Sequence, residues 1–225
     1  MCVLLRTNLT QDQAAGLFGV WRATTSRRWD LLRDVLADAL AALVPTVREV
    51  VGGYGSVLVG GFLAPTWDWK EATGLYSDNH GEAGFTIQLA TSLAGQIVAV
   101  GHPVPDARHD AHALYASGLA EKITGHDWLA DKGYQSHATI HPVRKPPKAE
   151  LSDHDQRFNA SISSIRATVE RANDHLQNWK ILVTRFRPPL EKFPATLRAI
   201  TGLYYLKLAF EYELIVFQNM APELG

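Results

Sequence analysis

The chain has 225 residues, 46% hydrophobic and 20% charged, with 22 Lys+Arg against 23 Asp+Glu. This composition excludes a disordered, collagen-like or low-complexity chain and suffices for one sizeable core, or for a small module joined to a larger domain. The single Cys2 excludes an intramolecular disulfide framework and points to a reducing compartment.

The near-zero total conceals a segregation of charge. Residues 1–50 carry a net +1, residues 51–131 carry -6, residues 132–207 carry +7 and the tail carries -3. A basic segment of this size suggests polyanion contact, and the acidic one suggests carboxylates gathered for another purpose, unless the two simply neutralise each other across the fold.

In chain order, Gln11 to Phe18 reads as a short helix with small Ala14 and Ala15. Gly19-Val20 is a turn, and a longer helix follows with apolar Trp29, Leu31, Leu32, Val35, Leu36, Leu40, Leu43 and Val44. This is a helix-turn-helix pattern, in which Arg22, Thr24, Ser26, Arg27 and Arg28 reach base edges and phosphates. After Pro45 the glycines at 52, 53 and 55 read as a linker, followed by strand-like runs at 56–63, 84–90 and 96–100, the last two a hairpin turning at Gly95. The uncharged stretch Ala83 to Gly101 contains Thr86, Gln88, Thr91, Ser92 and Gln96 and is broken at Gly95, so it is no bilayer-spanning helix. The N-terminus shows no secretory signal, and the expectation is a soluble, cytoplasmic, nucleoid-associated protein.

A helix follows Asp110, and Asp127-Trp128-Leu129-Ala130 reads as a short strand leaving into Asp131-Lys132-Gly133-Tyr134. Thr139 to Val143 is a strand candidate and Arg144 to Lys148 a basic loop. From Ser152, apolar Phe158, Ile162, Ile165, Val169, Ala172, Leu176 and Trp179 recur at helical spacing behind a Ser152/Asp155 cap. Arg166, Glu170 and Asn173 fall on one line of that helix, beside its apolar stripe. The run from Leu203 to Phe217 reads as a packing helix.

This order of elements, with Gly101-His102-Pro103-Val104-Pro105 through Asp110, Asp131-Lys132-Gly133-Tyr134-Gln135, and Arg166 through Glu170-Arg171-Ala172, resembles the DDE transposases of bacterial insertion sequences across residues 5 to 207. The resemblance implies a mixed α/β fold: a helix-turn-helix over 1–48, an RNase-H-like catalytic domain over 49–210 and a tail over 211–225. It implies double-stranded DNA, transposon ends and target, as partner, with a homo-oligomer in prospect. It also implies two divalent ions, magnesium with manganese as substitute, which activate the attacking oxygen and stabilise the leaving one. Asp131 maps onto the family's second carboxylate and Glu170, 39 residues later, onto its third. Lys132, Arg144, Lys145, Arg166 and Arg171 would line the DNA path, with Lys148, Lys180, Arg185 and Arg187.

The first carboxylate is missing. The family's first strand carries Asp-Gly-Thr or similar, whereas Val57 to Thr66 has Gly60 at the Asp position, so catalysis is expected to be impaired unless Asp68 or Asp110 substitutes. Asn79, His102, Asp106, Ser136, Trp21 and Thr25 also depart from the family pattern, and Thr25 should face inward and weaken its helix. The chain begins so near the helix-turn-helix that truncation is expected. Two rivals stand beside this reading. One is a non-catalytic DNA-binding remnant. The other is a metal-dependent phosphohydrolase using His102, His109-Asp110 and Asp127, which requires those residues on helices.

Overall fold

The computed structural model describes residues 1–53, 55–67, 74–77, 81–105, 110–130, 134, 137–146 and 150–220, with backbone only at 77, 110 and 214–220. Helices α1 (Cys2–Thr7), α2 (Gln11–Phe18), α3 (Arg22–Ala39) and α4 (Val47–Val51) precede strands β1 (Val57–Pro65), β2 (Tyr76–Ser77), β3 (Glu82–Thr91), β4 (Ile97–Val100) and β5 (Val104–Pro105). Helices α5 (Asp110–Ala116) and α6 (Leu119–Lys122), strand β6 (Trp128–Leu129), and helices α7 (Asp153–Gln177), α8 (Lys180–Val183) and α9 (Phe193–Met220) follow. No helix among the described residues is long and apolar enough to cross a membrane.

Packing divides the chain into two units. One comprises Met1–Val44, Trp179–Ile181 and Pro188–Gly225, and the other Pro45–Asn178 with Leu182–Arg187. The boundaries expected from sequence differ from this division, because α9 packs along α3 rather than with the sheet, while α4 packs against β4.

In the first unit, α2 starts with a reciprocal cap. The Thr10 hydroxyl accepts from the Gln13 N–H at 3.2 Å and the Gln13 side chain accepts from the Thr10 N–H at 2.9 Å. The helix ends at Gly19, whose φ of 61° lies in the left-handed region that glycine enters without a Cβ penalty, so three residues suffice to enter α3. Helix α3 buries Thr25, Trp29, Arg33 and Ala37, one every four residues. Of the stripe expected from sequence, Trp29 is buried and Leu36 and Leu40 are half-buried, whereas Leu31, Leu32, Val35, Leu43 and Val44 are exposed. Charge fixes the rotation. Arg33 is drawn inward between Asp30 at 3.3 Å and Asp34 at 3.0 Å, and Lys192 donates to Asp30 at 2.5 Å. Partial burial disfavours the Asp30 carboxylate, but Lys192 and then Arg33 outweigh it and hold the carboxyl below its ordinary value.

The second unit is built on a mixed sheet. Strand β1 pairs antiparallel with β3 from Leu58↔Thr91 to Pro65↔Gly84, and on its other side parallel with β6 through Val57↔Trp128 and Leu58↔Leu129. Strands β4 and β5 pair antiparallel with β3, and β2 pairs with its start. The hairpin turning at Gly95 forms as expected. One face of the sheet, with Val57, Val59 and Ala90, packs on Val47, Leu114, Leu119 and Ile123 from α4, α5 and the segment around α6. The expected strand over 139–143 reduces to an isolated bridge between Leu129 and Ile140, since the Pro at 142 has no N–H for a ladder. Helix α4, not expected from sequence, immediately precedes the glycine linker. The Thr46 hydroxyl and the Glu49 carboxylate cap one another's backbone N–H, enough to start a turn that ends at Gly52.

Thr25 is buried with its hydroxyl unpartnered, as is the Trp29 indole N–H one turn later. Thr25→Val keeps the shape and removes an unsatisfied group, so it should stabilise the chain by about 1 kcal/mol in urea denaturation. The stability that Asp30 contributes is present above the ordinary carboxyl value of 3.8 and is lost as pH falls through the lower folded-state value. Asp30→Asn should therefore lower stability at neutral pH and flatten its fall below about pH 4, read from melting temperature against pH.

Candidate active site

Helix α7 carries Glu170, the one of the two expected metal-binding carboxylates, Asp131 and Glu170, that lies among the described residues. Ser152 caps its start, accepting from the Asp155 N–H at 3.1 Å and donating to the Asp155 carboxylate at 2.7 Å. The helix buries Ile162, Thr168, Val169, Ala172 and Leu176. Phe158 and Ile165, expected in the same stripe, are exposed, and Thr168 lies inside in their stead. Glu170 follows Val169 and is exposed, with Arg166 and Asn173 half-buried on either side along the helix. The Asn173 side-chain carbonyl is buried without a hydrogen-bond partner.

Gly60 lies inside β1, paired in register with Leu89. A Cβ at Gly60 would overlap Val169 Cγ1 and lie 3.7 Å from Val169 Cβ, so this position faces α7 at the residue before Glu170. Gly60 and the helix that carries Glu170 are thus brought together. Asp131 and Lys132 lie outside the described residues, as do Asp68, Asn79, Asp106, His109 and Ser136. Ala130, the last described residue before Asp131, is buried immediately after β6, the strand that pairs with β1.

Tyr134 is fixed by two neighbours. It is 3% exposed, its ring meets Trp128 edge-on at 6.0 Å, and its hydroxyl donates to the Gln88 side-chain carbonyl at 2.5 Å. Gln88 is itself buried on β3, opposite Gly61. Sequence reasoning quoted Tyr134 as part of a motif but gave it no role, and missed Gln88, whose only signal was a polar residue in an otherwise apolar strand.

The candidate DNA-contacting residues lie in both units. Arg22, Arg27 and Arg28 are exposed at the start of α3, Thr24 and Ser26 are half-buried, and Arg22 pairs with Asp12 at 3.5 Å. Arg144 and Lys145 are exposed in the segment before α7, with Lys145 paired to Glu150 at 2.7 Å. Arg166 is half-buried, and Arg171 is exposed and donates to the Thr168 hydroxyl at 3.2 Å. The phosphohydrolase reading fails on placement, because His102 lies between β4 and β5 and Asp127 immediately before β6, neither on a helix.

Three antiparallel strands, a fourth running parallel beside the first, and a long helix presenting an acidic residue next to the first strand make up an RNase-H-like arrangement, the class of fold used by many nucleic-acid-cleaving enzymes. The chain belongs to the DDE superfamily endonucleases, whose family model matches residues 62–204. It is 33% identical over 182 residues to a protein of Streptomyces albus G assigned as a transposase for insertion sequence element IS112, covering 79% of this chain and 66% of that protein. It is 28% identical over 150 residues to a protein of Microchaete diplosiphon assigned as a transposase for insertion sequence element IS702, covering 63% of this chain and 53% of that one. The chain thus spans just under two thirds of the first relative's length and about half of the second's. No solved structure matches it.

Endonucleases of this superfamily generally use divalent metal ions. The first strand does not fit such a site, because Gly60 supplies no oxygen and the space beside it is taken by Val169. Among the described residues, no group of three or more His, Cys, Asp and Glu side chains is gathered for a metal.

Removing the Tyr134 hydroxyl leaves the buried Gln88 amide short of a partner. Tyr134→Phe should cost about 1–2 kcal/mol in urea denaturation, and adding Gln88→Leu should recover part of that loss.

Proposed function

We propose that this chain is an insertion-sequence transposase, or a large part of one, that binds the DNA of its element's ends and has lost most of its capacity for strand cleavage. The observation that carries the reading is Gly60 on the first strand of a chain that otherwise belongs to a carboxylate-dependent endonuclease family. Transposition is what the relatives' names describe, and it comes to this chain through that likeness.

In this reading Asp131 and Glu170 are the second and third metal ligands, with magnesium as the ion. A displacement at phosphorus needs both its attacking and its leaving oxygen stabilised, and two carboxylates on two elements are a poor scaffold for a pair of ions lacking their shared ligand. DNA binding has no such requirement. Exposed Arg27 and Arg28 at the start of α3, behind the short turn from α2, suit phosphate contact, and the +7 segment supplies a second basic surface. If binding survives without cleavage, the chain acts as a non-catalytic DNA-binding remnant, a role that Gly60 favours.

The test pairs two assays on DNA carrying the element's terminal repeats. With Mg2+ or Mn2+, the chain should release no more cleaved product than Glu170→Gln does, and product that depends on Glu170 would overturn the impairment. In binding assays, each phosphate contact should add about 0.9 to the slope of log affinity against log salt. Replacing Arg27 and Arg28 by Ala should therefore lower that slope by about 2, whereas a slope that is flat in the unaltered chain would overturn the DNA-binding role.

A further inference from the structure

Helix α3 opens on a side chain that packing does not explain. Trp21, its N-cap, is 85% exposed, more than any other large apolar side chain among the described residues. It makes no side-chain capping hydrogen bond, and Ser, Thr, Asp or Asn would serve that position better. Leu17, Phe18 and Val20, which precede it at the end of α2 and in the turn, are exposed as well, so the turn offers an apolar surface to its surroundings. The surface lies in a basic stretch. Residues 21–28 hold Arg22, Arg27 and Arg28 and no acid, and the acids of α3, Asp30, Asp34 and Asp38, all lie further along the helix. Asp12 offsets only one of these charges, through its pair with Arg22. Thr24 and Arg28, three and seven residues after Trp21, fall on the same side of the helix as Trp21. An exposed indole beside several guanidinium groups matches a polyanion that carries apolar groups between its charges. Duplex DNA has that chemistry, with phosphates along the edges of the major groove and thymine methyl groups on its floor.

We infer that Trp21 is a specificity-determining residue: with the start of α3 in the major groove, its indole packs against thymine C5-methyl groups while Arg27 and Arg28 hold phosphates. The arginine contacts are available on any sequence, whereas the indole finds a partner only where thymine stands. A good cap and a base contact compete for this one position, so the substitution that improves the helix should weaken recognition. The inference rests on the proposed DNA-binding role.

Trp21→Ser supplies the missing cap and should raise the melting temperature by about 2–4 °C. Its affinity for a duplex carrying the element's terminal repeats should nevertheless fall about tenfold, the loss of roughly one base pair's recognition. The slope of log affinity against log salt should stay unchanged, because no charge is removed. Trp21→Phe keeps an apolar ring and should keep most of the affinity. On an unrelated duplex, where charge alone holds the protein, the three chains should bind alike. Replacing thymine by uracil throughout the repeats removes only the methyl groups, and should weaken binding of the unaltered chain while leaving Trp21→Ser indifferent. Undiminished binding of the repeats by Trp21→Ser, an equal loss on both duplexes, or equal sensitivity of the two chains to uracil would overturn the inference. So would a shift from dimer to monomer in sedimentation on Trp21→Ser, which would assign the apolar turn to a second copy of the chain. A flat salt slope in the unaltered chain would remove the DNA-binding reading as a whole, whereas a steep slope with Trp21→Ser indistinguishable from the unaltered chain would remove only the role of Trp21.

Discussion

The seat of α7 on the first strand governs everything this chain can do at its candidate site. The bare backbone of Gly60 faces a helix whose buried stripe, Ile162 to Leu176, passes beside exposed Glu170. When no side chain projects from residue 60, apolar packing sets how closely strand and helix approach, and Val169 takes up the room. Glu170 is thereby held at a fixed height above the sheet and faces outward, exposed, where an ion or a phosphate would have to meet it without help from the first strand. The local geometry is well ordered for packing and poorly furnished for holding cations.

A second constraint supports the first from the other side of the sheet. Tyr134 and Gln88 join the loop after β6 to β3 through a buried hydrogen bond. A lone glutamine inside a sheet would be costly, and a tyrosine hydroxyl inside a core equally so, but together each satisfies the other. The bond ties Tyr134, five residues beyond β6, to the same strand that pairs with Gly60.

Much of this was legible in the residues, for identifiable reasons. Strands β1, β3, β4 and β6, the turn at Gly95, and helix α2 were marked by alternation, by turn glycines and by the 3.6-residue period, signals that arise within a few residues of chain, whereas the two-residue β2 and β5 carry no such signal. The inward Thr25 was likewise readable from its place four residues before Trp29. What was not legible depends on distant partners. The buried face of α3 is set by Arg33 finding Asp30, Asp34 and Lys192, the last more than 150 positions along the chain, and hydropathy assigns an arginine to the outside. The burial of Thr168 instead of Ile165, and the docking of α9 with α3, are decided in the same way by tertiary packing. At the candidate site Gly60 was visible in the sequence, while its packing against Val169 was not, because nothing in a period-4 stripe tells which residue of a helix sits over which residue of a strand.

In the proposed reading, the absence of an acid at residue 60 has a physical direction. Carboxylates that converge on one place repel one another and resist burial unless a cation is present to compensate, and sites of that kind are maintained at a cost to the fold. A glycine in that place is free of both penalties, and Val169 packed against its bare backbone adds the favourable burial of an apolar side chain. Neither gain refers to function: the packing of strand on helix is stabilising whether or not an ion is bound beside it.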